Sequence, residues 1–489
     1  MTFNNLTLRP NPGLVRFRYT DCPLRKKSPA PLWNPTGFSI TPQNHIMKNK
    51  WPGLFLLFLM HFTVVQAQHP DEPQLQITPS ITRTVIDSLG QVLKQHYVFP
   101  DTAAKWFAYI DNEYKRGAYA SIRDPRELAD RLQQDLQKAH HDGHFHLHYS
   151  PGMAKDIADT SNARERHRIG DSIGLIFARQ RNFAFSKAEI LPGNIGYVKF
   201  NGFVGFLKEA RPTFTGAFRF VSNTNALIID MRDNGGGSPA MVCQVASYFF
   251  RERHHWNDIV DARGKREFYV DPADADGLTL SMPVYILTAR LTFSGGEDFC
   301  YGMKALHRAT IIGDTTGGGA HPVGPVPVVM GFVADIPFAR SLNPYTNTDW
   351  EGTGVVPDIP VSSATALDRA QQAIYTDWAQ HATTDQEKMK AQWWLDDLAA
   401  RQPKTTAANL SSYNGTYEGG LVFYTDHGDL YCRNAERGNT IFKLLPVSAD
   451  KFVLDENVHV EFKKDPNGNF QEIAMLWSDG RISKKRKAK

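Results

Sequence analysis

Residues 291–297 read LTFSGGE and directly follow MPVYILTA, a short apolar run that predicts a buried strand. Ser294 therefore stands at the mouth of a predicted helix. A helix N-terminus carries unpaired N–H groups and the positive end of a dipole, so a serine there can attack a carbonyl while neighbouring amides hold the oxyanion. Serine is also a preferred N-cap, and taken alone a serine here is more often a cap than a nucleophile. A nucleophilic serine needs a base, and the histidines are concentrated in AHHDGHFHLHYS. There His144, His146 and His148 alternate and would share one face of a strand. Such a run can supply one general base, an open zinc site, or only a solvated edge.

Two glycine runs frame the serine. RDNGGG ends in Gly235, Gly236 and Gly237, and DTTGGG in Gly317, Gly318 and Gly319. Glycine lets the backbone approach a substrate closely, although the second run reads equally well as a turn. Neither run has the lysine that a phosphate-cradling loop requires.

These residues need a scaffold, and the chain's periodicity describes one. From about residue 78 to 150 the pattern is helical. Ile81, Val85, Leu89 and Val92 recur at helical spacing, a second helix carries Trp106, Phe107 and Ile110, and a third opens with Asp124, Pro125 and Glu127 as cap, first residue and capping-box partner. Its end is the His144 segment. From 190 to 362 short apolar strands (IGYVKF, ALIIDM, PVYILTA, ATIIG) alternate with helices, which predicts an α/β layer built on right-handed crossovers. VPVVMGFVADIPFA reads as a hairpin on the edge of that sheet. Residues 363–402 return to helical periodicity, and 410–489 alternate over short segments with Asp-His-Gly and Pro-Asn-Gly turns, the pattern of a small antiparallel β domain.

Composition excludes several classes. With 42% hydrophobic and 22% charged residues and a net charge of +4, the 489-residue chain is ordinary for a globular protein and carries no charge excess suited to nucleic acid. MKNKWPGLFLLFLMHFTVVQAQ, starting at Met47, has the n-region, apolar core and small-residue site of a secretory signal over residues 47–67, with Gln68 as the expected mature N-terminus. Its apolar run falls short of the ~20 residues a membrane span needs. Residues 1–46 then read as disordered sequence upstream of the true start. The expected location is periplasmic or secreted, with no membrane anchor after cleavage. Cys243, Cys300 and Cys432 are expected to be buried free thiols, since three cysteines in apolar surroundings imply no disulfide framework.

Ordered segments across the middle of the chain carry a resemblance: DGHFHL, LPGNIGYVKFNGF, ALIIDMRDNGGG, PVYILTARLTFSGGEDFCYGMKALHRATIIGDTTGGGAHP and EGTGVVPDIPV. Together they resemble the C-terminal-processing (tail-specific) serine peptidases, in the branch nearer the interphotoreceptor retinoid-binding protein and the tricorn core. The resemblance implies a ClpP/crotonase-like α/β core, preceded by a small helical domain and followed by a lipocalin-like β domain. It implies Ser294 as nucleophile, His144 as general base and Glu351 as the carboxylate completing the arrangement. Oxyanion donors would be Gly295 N–H and one from Gly235–Gly237, of which Gly236 and Gly237 are favoured. No cofactor or metal is implied, and the partner is a peptide or protein substrate. Two departures stand out: Gly143 occupies a position where tricorn-like members have serine, and about 45 residues between His144 and LPGNIGY leave no room for a PDZ domain of ~90 residues. Because relatives on this fold also bind hydrophobic ligands without catalysis, a ligand-binding protein is the alternative, with a histidine–zinc hydrolase behind it.

Overall fold

A computed structural model describes residues 75–159, 161, 163–401, 409–435 and 438–488. The expected leader, the signal segment, Gln68 and Cys22 lie outside the described residues.

Three helices open the described chain: α1 (Pro79–His96), α2 (Pro100–Lys115) and α3 (Pro125–Ala139). Each begins on proline, whose missing N–H costs nothing at a first turn. Asp124 caps α3 by accepting the N–H groups of Arg126 and Glu127. Their apolar stripes meet around Val85, Leu89, Trp106, Leu128 and Leu132. The same core includes Phe145 and Leu147 of the histidine segment and Phe332, Ala334 and Ile336 from much later in the chain. Those later residues belong to a hairpin that pairs antiparallel with β1 (His146–Tyr149), giving a separate three-stranded sheet. The hairpin read from VPVVMGFVADIPFA is therefore present, but on the helical unit's sheet instead of the edge of the α/β sheet. Its apolar face is buried by the helices, which local periodicity does not reveal.

Between β1 and the α/β layer lie two helices, α4 (Pro151–Ala158) and α5 (Ala163–Gln180). The layer is a six-stranded sheet. It is built from β2 (Phe185–Leu191), β3 (Ile195–Phe200), β4 (Ala226–Asp230), β7 (Val284–Thr288), β8 (Ala309–Gly313) and β12 (Ile359–Pro360), in the order β12-β8-β7-β4-β3-β2. All neighbours run parallel except β2, an antiparallel edge. β4 is buried along its whole length, as a strand covered on both faces must be. One face is covered by α6 (Leu207–Phe220), α7 (Pro239–Ala246) and α8 (Gly295–Ala305), through Phe214, Phe218, Met241 and Phe299. The other is covered by α9 (Ala366–His381) through Ala370, Ile374 and Tyr375, with Leu398 of α10 (Asp385–Arg401) behind. Each fully buried Ile, Leu or Phe in these faces contributes about 1.5–3 kcal/mol.

A third sheet, unanticipated from sequence, joins the hairpin β5 (His254–Asp261) and β6 (Gly264–Val270) to β11 (Ala339–Leu342). The remaining strands are β9 (Val323–Pro327) and β10 (Phe332–Pro337), the hairpin already described. From residue 415 onward the chain forms a four-stranded and a five-stranded antiparallel sheet around Tyr413, Tyr417, Phe423, Phe452 and Phe462. Cys243, Cys300 and Cys432 are buried and free. No helix among the described residues is long and apolar enough to cross a membrane.

Candidate active site

Ser294 is the N-cap of α8 and has φ 52° and ψ −123°, a strained backbone for a residue with a Cβ. Three neighbours hold it there. Thr292 Oγ1 donates to Met231 O at 2.8 Å and accepts the Ala289 N–H, the Phe293 N–H donates to Asn234 O at 2.9 Å, and the Ser294 N–H donates to Glu297 Oε2 at 2.9 Å. The turn after β7 is thus tied to the glycine loop after β4. Asn234 fixes that loop from within, donating to Phe200 O and accepting the Gly236 N–H at 2.9 Å.

The loop lies directly against the serine. A Cβ on Gly236, where φ is +94°, would stand 2.6 Å from Gly295 N and 2.8 Å from Ser294 Cβ. Gly236 has already spent its N–H on Asn234. Among the described residues the N–H groups of Gly237 and Gly295 have no acceptor, and both residues line one cleft of about 320 Å³ together with Ser294 and His144. Of the three glycines left open by sequence, Gly235 donates its N–H to Asn201 O and Gly236 to Asn234, which leaves the Gly237 N–H unspent.

His144 precedes β1 instead of lying within it, so the alternation expected for His144, His146 and His148 breaks at the first of them. The cause is local. Asp142 Oδ1 accepts the His144 N–H at 2.9 Å and Asp142 O accepts the Phe145 N–H, a turn that an aspartate two residues upstream commonly makes. His144 is 8% exposed and packs at a tilt against Phe293 with ring centroids 4.6 Å apart, while His146 points to solvent and His148 lies 3.9 Å from Asp335. The three do not form a common ligand set. Burial, partly offset by the Asp142 charge, pushes the His144 pKa down to about 4, so the imidazole is neutral at pH 7.

Glu351 does not line the cleft. Its Oε2 accepts the Ala320 N–H at 2.6 Å and lies 3.3 Å from His321 Nδ1, which is in turn 3.5 Å from Asp142 Oδ2. Both separations are ion-pair distances without the alignment of a hydrogen bond. Asp142 also accepts the Tyr97 hydroxyl at 2.8 Å. Burial raises Glu351 to about 7 against the pull of His321 and the Ala320 N–H. For His321, burial works downward, but the adjacent Asp142 carboxylate and the charge of Glu351 carry it above the ordinary value. Asp142 stays below its ordinary value because His321, the His144 N–H and Tyr97 together outweigh its burial. Ligand atoms of Asp142, His321 and Glu351 lie within 4.8 Å of one another, as do those of His255, Asp258 and Glu267, so by spacing alone either trio can hold a metal ion. In the first trio the carboxylates are already engaged by N–H and O–H donors.

Against this geometry, known proteins place the chain clearly. A model described as peptidase family S41 matches residues 194–361, and one described as the N-terminal domain of peptidase S41 in eukaryotic IRBP matches residues 78–169. The chain belongs to peptidase family S41. As an S41 chain it is 30% identical over 181 residues to carboxyl-terminal-processing peptidase 2 of Arabidopsis thaliana chloroplasts, covering 35% of this chain and 34% of that protein. It is 31% identical over 135 residues to tricorn protease of Thermoplasma volcanium, covering 27% of this chain and 12% of that one. It thus spans about a third of the first relative's length and about an eighth of the second's. Among solved structures, the photosystem II D1 C-terminal processing protease aligns at 17% identity with a TM-score of 0.37, covering 58% of this chain and 94% of that one.

Two buried residues of this S41 site carry more of its structure than their place in the sequence suggested. Glu297 accepts from Ser294 N, Thr316 Oγ1, Gly318 N and Gly319 N, so one carboxylate ties the serine to the second glycine run. The Ser-x-x-Glu spacing was a usable signal, since it is a capping-box pattern. His321 follows the same glycine run, and nothing in its local sequence marks it as facing Asp142 and Glu351.

Proposed function

We propose that the protein is an exported serine endopeptidase of the tail-specific-protease type, acting on peptides or proteins in a periplasm or outside the cell. The observation that carries this reading is that Ser294, neutral His144 and the unspent N–H groups of Gly237 and Gly295 open onto one cleft. Ser294 Oγ attacks the scissile carbonyl carbon and passes its proton to His144. The Gly237 and Gly295 N–H groups stabilise the oxyanion. His144 then protonates the leaving amine as the C–N bond breaks; water, deprotonated by the same imidazole, attacks the acyl carbon, and the proton passes to Oγ as the C–Oγ bond breaks and the acid leaves. Glu351 completes the charge arrangement by acting on His321, which neighbours Asp142 and through it the His144 backbone. No cofactor, nucleic acid or membrane anchor enters this scheme. The two helices α4 and α5 occupy the sequence between the histidine segment and β2, where a PDZ domain would otherwise stand.

The test is hydrolysis of casein and peptides by the chain from Gln68, beside Ser294→Ala, with a serine-directed phosphonate located by mass spectrometry. A loss of at least ~10³-fold in the variant with the label on Ser294 is expected. Activity that survives in Ser294→Ala and vanishes with a chelator would replace the serine mechanism with a metal one. A folded protein that neither turns over nor labels, but captures apolar probes, would be a ligand carrier.

A further inference from the structure

Glu297 and Asp298 are adjacent, buried and acidic, yet they differ in what they do. Glu297 satisfies four donors and is spent on holding the site together. Asp298 is 6% exposed and lines the cleft, and among the described residues only the Trp256 and Asn257 side chains bear on its carboxylate. Among the described residues no Lys, Arg or His lies within ion-pair distance of it, and the Trp256 Nε1–H beside it is itself unpartnered. A carboxylate buried in this state is costly unless an external partner arrives.

Its position says where that partner comes from. Ser294 caps α8 and Asp298 lies in the first turn of that helix. Both line the same cleft, whose other walls include Gly237, Pro239, Ile259 and Trp350. A side chain that enters the cleft beside Ser294 meets these apolar walls and, with them, Asp298. An alkyl stem suits those walls, and a terminal cation suits the carboxylate. Burial raises the Asp298 pKa to about 7 against the pull of Trp256 and Asn257, and a bound cation would draw it back down.

Resting on the serine-peptidase reading, we propose that Asp298 is the floor of a specificity pocket selecting lysine or arginine on the acyl side of the scissile bond. The experiment compares kcat/KM for peptides identical except for lysine or norleucine at that residue, and separately measures benzamidine binding to Ser294→Ala by calorimetry. The protein should prefer lysine by roughly 10²-fold, and Asp298→Asn, checked for folding by near-ultraviolet circular dichroism, should bring the ratio close to one. Benzamidine should bind Ser294→Ala and bind the Ser294→Ala/Asp298→Asn double variant at least tenfold more weakly. Turnover with norleucine equal to or better than lysine overturns the pocket while leaving the peptidase intact. Asp298-dependent benzamidine binding without turnover of any peptide overturns the peptidase and keeps the pocket. Neither binding nor turnover overturns both.

Discussion

Glu351 Oε2 lies 3.3 Å from His321 Nδ1, and among the described residues no hydrogen bond joins it to the His144 ring. The carboxylate expected to complete a serine–histidine arrangement thus meets a second histidine. If Glu351 acts through His321, removing either breaks the same relay. Glu351→Gln and His321→Ala should each lower kcat by roughly 10- to 100-fold, and the double variant should be no slower than the worse single one. Steady-state kinetics of the four proteins checks this, and multiplying effects would show that the two residues act independently.

The pH profile follows from His144. A base works only when unprotonated, and burial holds this imidazole at about 4 instead of 6.5. The kcat/KM profile should therefore stay level down to about pH 5.5, where an ordinary histidine would be mostly charged, and fall only below it. Glu351, raised to about 7, provides the competing outcome. Because it is anionic only above that value, an acid limb near 7 that disappears in Glu351→Gln would make its ionisation the limiting one.

Gly236 is the position where the backbone leaves no latitude. Its φ of +94° disfavours any Cβ, and one placed there would meet Gly295 N at 2.6 Å and Phe293 O at 2.7 Å, both backbone atoms of the nucleophile turn. Gly236→Ala should lower stability by about 1–3 kcal/mol and activity by at least ~10²-fold, because the strain falls on the turn that aims Ser294. Gly235, whose Cβ would meet nothing within 4 Å, is the control: Gly235→Ala should unfold within about 0.5 kcal/mol of the parent protein. Denaturant melts of both variants, with kinetics for the first, decide the matter.

What the sequence made legible was what local pattern encodes. The strand-to-helix junction at Ser294, the Asp124 cap and the alternating C-terminal strands all write themselves into a few consecutive residues. Pairings across long separations do not. Nothing near Phe332 says that it joins β1 some 180 residues earlier, and β5 and β6 carry too mixed a polarity to stand out, with β6 largely exposed. The histidine alternation misled because the Asp142 turn competes with the strand for the same residues. His321 and Asp298 acquire meaning only when the fold sets them beside Glu351 and Ser294.

The C-terminal β segment docks through a histidine that is wholly buried. His459 stacks on Trp393 of α10 with ring centroids 3.6 Å apart and shares a 2.9 Å contact with Asp397 through Nε2, while Lys451 pairs with Asp396. All three contacts sit on α10, behind the sheet from the cleft. His459→Ala removes a stacked ring and a charge-assisted bond and leaves a cavity against Trp393, so stability should fall by about 1–3 kcal/mol. Phosphonate labelling of Ser294 should be retained, since none of the cleft's lining residues comes from beyond residue 350. Calorimetric melting beside labelling rates separates the two effects. A slower label in a variant that still melts cooperatively would mean that the β segment supports the site through α10 and α9, and its role would then be more than a cover for that helix.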